Sequence, residues 1–143
     1  MQRILHTSDW LLGKALFGAG RLAEQERALK WMLGLCRERE ADCVAVAGGV
    51  YGSVEPDAQA QRACFEFFAE AAQAGIRVVL IPGEEDPAPL LRAPARLLAR
   101  CGIHVAGEAA EDQAIVIRDA GGAPQLGIAA VCEAGAEALA ARY

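Results

Sequence analysis

The run Cys43-Val44-Ala45-Val46-Ala47-Gly48-Gly49-Val50-Tyr51-Gly52 decides the fold class. Five apolar residues stand in a row, without the polar alternation of a strand wetted on one face, and they stop abruptly at a glycine pair. Such a run reads as a strand buried on both faces, as in a parallel sheet. Two others share its form. Ile4-Leu5-His6-Thr7 ends at Ser8-Asp9-Trp10-Leu11, and Val78 to Ile81 ends at Gly83-Glu84-Glu85-Asp86. Helical patterns lie between them: Leu22, Leu29, Leu33 and Cys36 share one helix face, and Phe65, Phe68 and Ala72 share another. Alternation of strand and helix at this spacing predicts βαβ units with right-handed crossovers.

Working outward, residues 88–100 read as helix through Leu90, Leu91, Leu97 and Leu98, divided at Pro94 because proline cannot continue a helical ladder. A short strand is expected at 103–105. Residues 114–118 and 125–131 read as a hairpin joined through Asp119-Ala120-Gly121-Gly122, and the alanine-rich 133–142 reads as helix. No repeat or linker interrupts the chain, so residues 1–143 are expected to form one domain. The second helix is apolar on two flanks, since Cys64, Phe67, Ala71 and Ala74 form another stripe. A helix apolar nearly all round is covered twice, here by its own sheet and by either a deeper core or a partner.

At 54% hydrophobic and 23% charged residues, the 143-residue chain can bury a sizeable core. No apolar run reaches membrane-spanning length and no secretory leader is recognisable, so a cytoplasmic protein with no membrane association is expected. The five cysteines are scattered and never spaced as Cys-x-x-Cys, so they read as reduced, buried residues rather than a zinc site or disulfide framework. The net charge of −5 argues against a stand-alone nucleic-acid binder. Half of the basic residues fall in the first forty positions, but Glu24, Glu26, Glu38 and Glu40 are mixed among them, which reads as a solvated helix face.

Ligands of open parallel sheets gather beyond the carboxyl ends of the strands. Here those ends carry Asp9, the Gly48–Gly52 segment and the acidic turn Glu84-Glu85-Asp86. At these loops the chain resembles a known family. Arg3-Ile4-Leu5-His6-Thr7-Ser8-Asp9-Trp10 with Leu12-Gly13-Lys14, then Arg21-Leu22, Ala47-Gly48, Val50-Tyr51, Gln59 to Arg62, Ala74-Gly75-Ile76 and Gly102 to Val105 are similar to the front half of the SbcD-type subunit of the SbcCD DNA repair exonuclease. The likeness covers about residues 1–107. It implies the calcineurin-like metallophosphoesterase fold, two sheets packed face to face with helices outside, of which this chain holds about half: a βαβ sheet flanked by helices.

The resemblance also implies a two-manganese centre, and here the chain departs from the pattern. Asp9 is kept. Leu11 replaces the histidine of the first motif, Gly49 and Gly52 replace the two aspartates of the second, and Glu84 and Glu85 replace the asparagine and catalytic histidine of the third. Asp86 is kept. The family's later histidine motifs have no counterpart within 143 residues. Two divalent ions 4 Å apart repel by roughly 16 kcal/mol at an effective dielectric of 20. A bridging carboxylate offsets that repulsion, and Gly49 has none to offer. Leu11 cannot ligate a metal, and Glu85 replaces an imidazole acid only if its pKa is strongly raised. No catalytic residue and no cofactor are therefore expected. The alternative is one weakly held manganese or magnesium ion at Asp9, Glu84 and Asp86. Against it, Asp86 before Pro87 reads as a helix N-cap, with Glu84 and Glu85 a solvated acidic turn.

His6 reads as a hydrogen-bonded core histidine and His104 as structural. Trp10 and Tyr51 could stack on bases, with packing the simpler expectation, and Gly48-Gly49 lacks the surrounding pattern of a phosphate loop. The resemblance further implies pairing through helices at about 57–74 and 88–100. The expected interface is Cys64, Phe65, Phe67, Phe68, Leu90, Leu91, Leu97 and Leu98, giving a homodimer or a complex with an SbcC-like ATPase or another protein. DNA remains a partner that the charge does not favour. The leading expectation is a non-catalytic interaction or regulatory module linked to DNA repair. The alternatives are a nuclease subunit, or part of one, completed by another chain, and a one-metal phosphoesterase.

Overall fold

The computed structural model describes residues 2–106, 114–118 and 123–129. The elements run β1 Ile4–Thr7, α1 Leu22–Glu38, β2 Cys43–Ala47, α2 Ala58–Gln73, β3 Arg77–Ile81, α3 Ala88–Arg92, α4 Ala95–Arg100, β4 Ile103–Val105, β5 Ala114–Arg118 and β6 Pro124–Ala129. The first four strands form a parallel sheet in the order β1-β2-β3-β4, as the alternating apolar runs predict, and β5 and β6 pair antiparallel in a second sheet. This is an α/β fold with helices flanking a parallel sheet.

Register assigns the two faces of the parallel sheet. Leu5, Val44, Val78 and Ile103 lie in one row across it, and Val46, Leu80 and Val105 in the next. With Leu29, Leu33 and Cys36 of α1 and Ala63, Phe67, Phe68 and Ala71 of α2, these rows make the main core. On the opposite face Cys43 and Val79 are fully buried against Ile115, Leu126 and Ile128 of the hairpin. The continuous apolar character of β2 and β3 follows from this cover on both sides.

β1 departs from that expectation. Among the described residues it lies at the edge of the sheet, and Ile4 and His6, which point to the hairpin side, are exposed. His6 is therefore not a core histidine. His104, on β4, is half-buried, and burial with Arg77 close by pulls its imidazole pKa below the usual value.

The doubly apolar α2 is covered within the chain. Phe67 meets Trp10 edge-on at 4.8 Å between ring centroids, and Phe68 lies edge-on to both Phe65 and Phe67. Such pairs add to the area the rings bury. Of the residues expected at an interface, Cys64, Phe67, Phe68, Leu91 and Leu98 are buried in this core, and Phe65 and Leu90 pack against it. Leu97 alone of the eight stays exposed. Cys64, Phe67 and Ala71 of the second stripe are thus core, while Ala74, the C-cap of α2, is exposed. The helical stretch after β3 divides at Pro94, which lacks the amide to continue α3; its carbonyl instead accepts the first α4 bonds from Leu97 and Leu98. Cys36, Cys43 and Cys64 are buried free thiols, as expected, but Cys101 is exposed because it closes α4 at the surface. The expected 119–122 turn, the 133–142 helix and Cys132 lie outside the described residues.

Asp57 fixes the start of α2, its Oδ1 accepting from the Ala60 amide at 2.8 Å. Asp57→Ala should lower unfolding free energy by about 1 kcal/mol, while Asp57→Ser keeps most of it. Urea denaturation of the three proteins checks this.

Candidate functional site

Beyond β1 and β2 the backbones stay paired. The Asp9 amide donates to Gly48 O at 3.1 Å, Leu11 to Gly49 O at 2.8 Å and Leu12 to Val50 O at 2.9 Å, and Gly52 donates back to Leu12 O at 3.0 Å. The parallel ladder thus runs on through the two loops where the resemblance places metal ligands. Asp9 and Leu11 adopt left-handed backbone, with φ of 54° and 50°. That conformation is tolerable for aspartate and unfavourable for leucine. Gln25 of α1 braces the turn by donating to Leu11 O at 2.7 Å and accepting from the Gly13 amide at 3.1 Å. Leu12 and Tyr51 are fully buried beneath it.

The three loops approach backbone to backbone. Gly49 has φ of 65°, and a Cβ there would lie 2.8 Å from Asp9 Cα and 2.8 Å from Asp9 Oδ1. A Cβ on Gly52 would lie 2.9 Å from Lys14 Cα, and one on Gly83 would lie 2.8 Å from the Gly49 nitrogen. At the two glycines where the resemblance implies aspartates, even a Cβ would thus press on atoms of Asp9 and Lys14. Leu11, where it implies a histidine, offers no metal-binding atom.

Asp86 holds the third loop to the second. Its Oδ1 accepts from the Tyr51 amide at 2.8 Å and its Oδ2 from the Gly83 amide at 2.7 Å, in a residue only 6% exposed. It does not cap a helix: Pro87 occupies the N-cap of α3 with no side-chain bond. The reason is local demand, because two buried amides need an acceptor and the carboxylate supplies both bonds. Asp9 accepts from its neighbour Ser8 Oγ at 2.7 Å. Glu84 and Glu85 sit in an exposed turn, with Glu85 4.0 Å from Lys14 Nζ. Among the described residues no three His, Cys, Asp or Glu side chains converge as a ligand group. Asp9, Glu84 and Asp86 are therefore not gathered into one.

Trp10 packs in the core with its Nε1 donating to Thr7 Oγ1 at 3.1 Å. It has no open face for a base. The Tyr51 hydroxyl is buried without a partner at hydrogen-bond geometry among the described residues. Burial above all, with the adjacent Cys64 thiol adding to it, pushes its pKa far up. That thiol is a weak hydrogen-bond partner at best. Burial also lifts Cys36, and raises Cys43 to about 11 and Cys64 to about 12. These thiols stay protonated and unreactive at neutral pH. Sequence reading missed a groove of about 500 Å³ between the first loop and α1, walled by Leu11, Leu16, Leu29, Trp31 and Met32.

No family model matches the chain. Individual relatives do. It is 36% identical over 107 residues to the SbcD component of the nuclease SbcCD from Rhodobacter capsulatus, covering 73% of this chain and 26% of that protein. This chain is a relative of SbcD. The Bacillus subtilis SbcD is 36% identical over 106 residues, 73% of this chain and 27% of its own length. The Escherichia coli K12 SbcD is 30% identical over 124 residues, 87% of this chain and 28% of its own. The chain thus spans about a quarter of the length of these SbcD proteins. The parallel sheet with flanking helices is consistent with part of a metallophosphoesterase fold.

Asp86→Ala should cost about 3 kcal/mol of stability, because two buried amides lose a charged acceptor. Tyr51→Phe should cost nothing and gain up to about 1 kcal/mol, because it removes an unsatisfied buried hydroxyl. Guanidinium unfolding of both variants tests the pair, and a loss at Tyr51→Phe would show that the hydroxyl has a partner.

Proposed function

We propose that this SbcD relative is a non-catalytic module that acts by contact in a DNA repair complex in the cytoplasm. The observation that carries the reading is the packing of Gly49 against Asp9. Gly49 carries no bridging carboxylate, and even a Cβ there would lie 2.8 Å from Asp9 Cα. Without that anion, two divalent cations side by side meet a repulsion of order 10 kcal/mol that nothing nearby offsets. Leu11 and the exposed Glu85 point the same way, since neither performs the work of an imidazole. The relatives are named as one component of a larger assembly, SbcCD. A partner of the SbcC kind, or another protein in the same assembly, is the natural target for a chain that has kept their framework. The described residues hold no helix long and apolar enough to cross a membrane.

The second reading is a nuclease subunit, or part of one, whose centre is completed by another polypeptide. The retention of Asp9 and Asp86 favours it, although Asp86 is committed to the Tyr51 and Gly83 amides.

Calorimetric titration with manganese, alongside cleavage assays on single- and double-stranded DNA, separates the two. The expected result is no saturable high-affinity binding and no metal-dependent cleavage. Two tightly bound ions per chain, with cleavage abolished by Asp9→Ala, would overturn the proposal. Gly49→Asp should fail to create a site and should lower stability by about 2–4 kcal/mol through steric overlap and left-handed strain. Its thermal midpoint reads this independently of any activity.

A further inference from the structure

Another cavity lies at the opposite end of the parallel sheet from the three loops, where β3 and β4 begin. It spans about 430 Å³ between the ends of α2 and α4, the heads of β3 and β4, and β5. Its charged lining is of one sign. Arg77 at the head of β3 and Arg100 in the last turn of α4 line it, together with the half-buried His104 of β4. Among the described residues that line it there is no Asp or Glu, and α2 and β5 contribute only Ala72 and Val116. Two guanidiniums and an imidazole at one recess raise the local potential and draw anions to it.

The three basic side chains are brought together by the fold. A Cβ on Gly102 would stand 3.5 Å from Arg77 Cδ and 4.0 Å from its Nε, so the Arg77 stem runs past the turn that closes α4. Arg100 stands two residues before that glycine. Burial first, and Arg77 second, hold the His104 pKa below its usual value, which places imidazole and guanidinium within electrostatic reach. At neutral pH His104 is therefore mostly uncharged and has one ring N–H to donate.

We propose that this cavity binds the phosphate group of a small phosphate monoester, with Arg77 and Arg100 as its charge partners and His104 as an N–H donor. Such a group carries a charge of about −1.5 to −2 at neutral pH, and the forked guanidinium donors match its oxygens. The volume lies within the roughly 300–1,000 Å³ of small-molecule sites, more than a bare phosphate fills. Ile76 and Ala99 supply an apolar wall for the organic part. The C-terminal ends of α2 and α4 oppose an anion, each with about half a negative charge. Their last carbonyls are engaged by the chain itself, Ala71 O by the Ile76 amide at 2.9 Å and Leu98 O by the Cys101 amide at 2.8 Å. Two full guanidinium charges outweigh them. The site is independent of the contact reading and of any metal.

Proton NMR of the full chain titrated with phenyl phosphate tests this, because the chain has two histidines and His6 serves as the internal control. The His104 ring signals should shift saturably and its titration midpoint should rise, since a bound dianion favours the imidazolium. His6 should not respond. Arg100→Gln, at the surface, should weaken binding at least about tenfold with unchanged circular dichroism. Lys30→Gln, which removes an equal charge from α1, should bind as wild type. Inorganic phosphate and benzoate should bind more weakly than the ester. No saturable response of His104, an Arg100→Gln protein that binds like wild type, or equal affinity for inorganic phosphate or benzoate would overturn the proposal.

Discussion

The contact on which the rest depends is main chain against main chain where Gly49 meets Asp9. Most of a fold tolerates small displacements, because side chains can repack around them. Two backbones with no Cβ between them cannot move apart without breaking the hydrogen bonds that join them, here from Asp9 to Gly48 and from Leu11 to Gly49. Two strained residues, Asp9 and Leu11, are held in place by this ladder and by Gln25. The loops that follow β1 and β2 form one continuous piece of structure, and Asp86 ties the loop after β3 to it.

The framework was legible because it follows from periodicity. Continuous apolar runs at 43–47 and 78–81 gave parallel strands, and the residues facing α1 and α2 are those the helical spacing selects. What periodicity cannot reveal is which strand lies at the edge. Ile4-Leu5 opens as apolar as its neighbours, yet the strand's position in the described sheet leaves Ile4 and His6 open to solvent. Likewise the double stripe on α2 indicated two covers without saying whose. The cover is Trp10, α1 and the sheet of the same chain, and that depends on contacts distant in sequence.

The candidate site was legible as a set of replacements, and less so as a shape. Leu11, Gly49 and Gly52 can be read off as positions without a metal-binding side chain, and Glu84 and Glu85 as departures from the third motif that the resemblance implies. How closely the three loops pack emerges only from Cβ positions at Gly49, Gly52 and Gly83. Asp86 was misjudged because an acid before proline has two common uses, and only the unmet amides of Tyr51 and Gly83 decide between them.

The open edge of β1 bears on how the protein behaves in solution. A strand without an outer neighbour among the described residues presents its peptide groups as a template on which another extended chain can add, and an isoleucine beside them makes such growth more favourable. The chain counters this with brevity and charge. The strand is four residues long, and Arg3, at its head, is anchored sideways to Asp42 and Glu40 of the same molecule. An anchored cation at the mouth of an edge acts as a gatekeeper against uncontrolled sheet extension. A pair of surface contacts whose contribution to folding is small thus guards this edge of the described sheet.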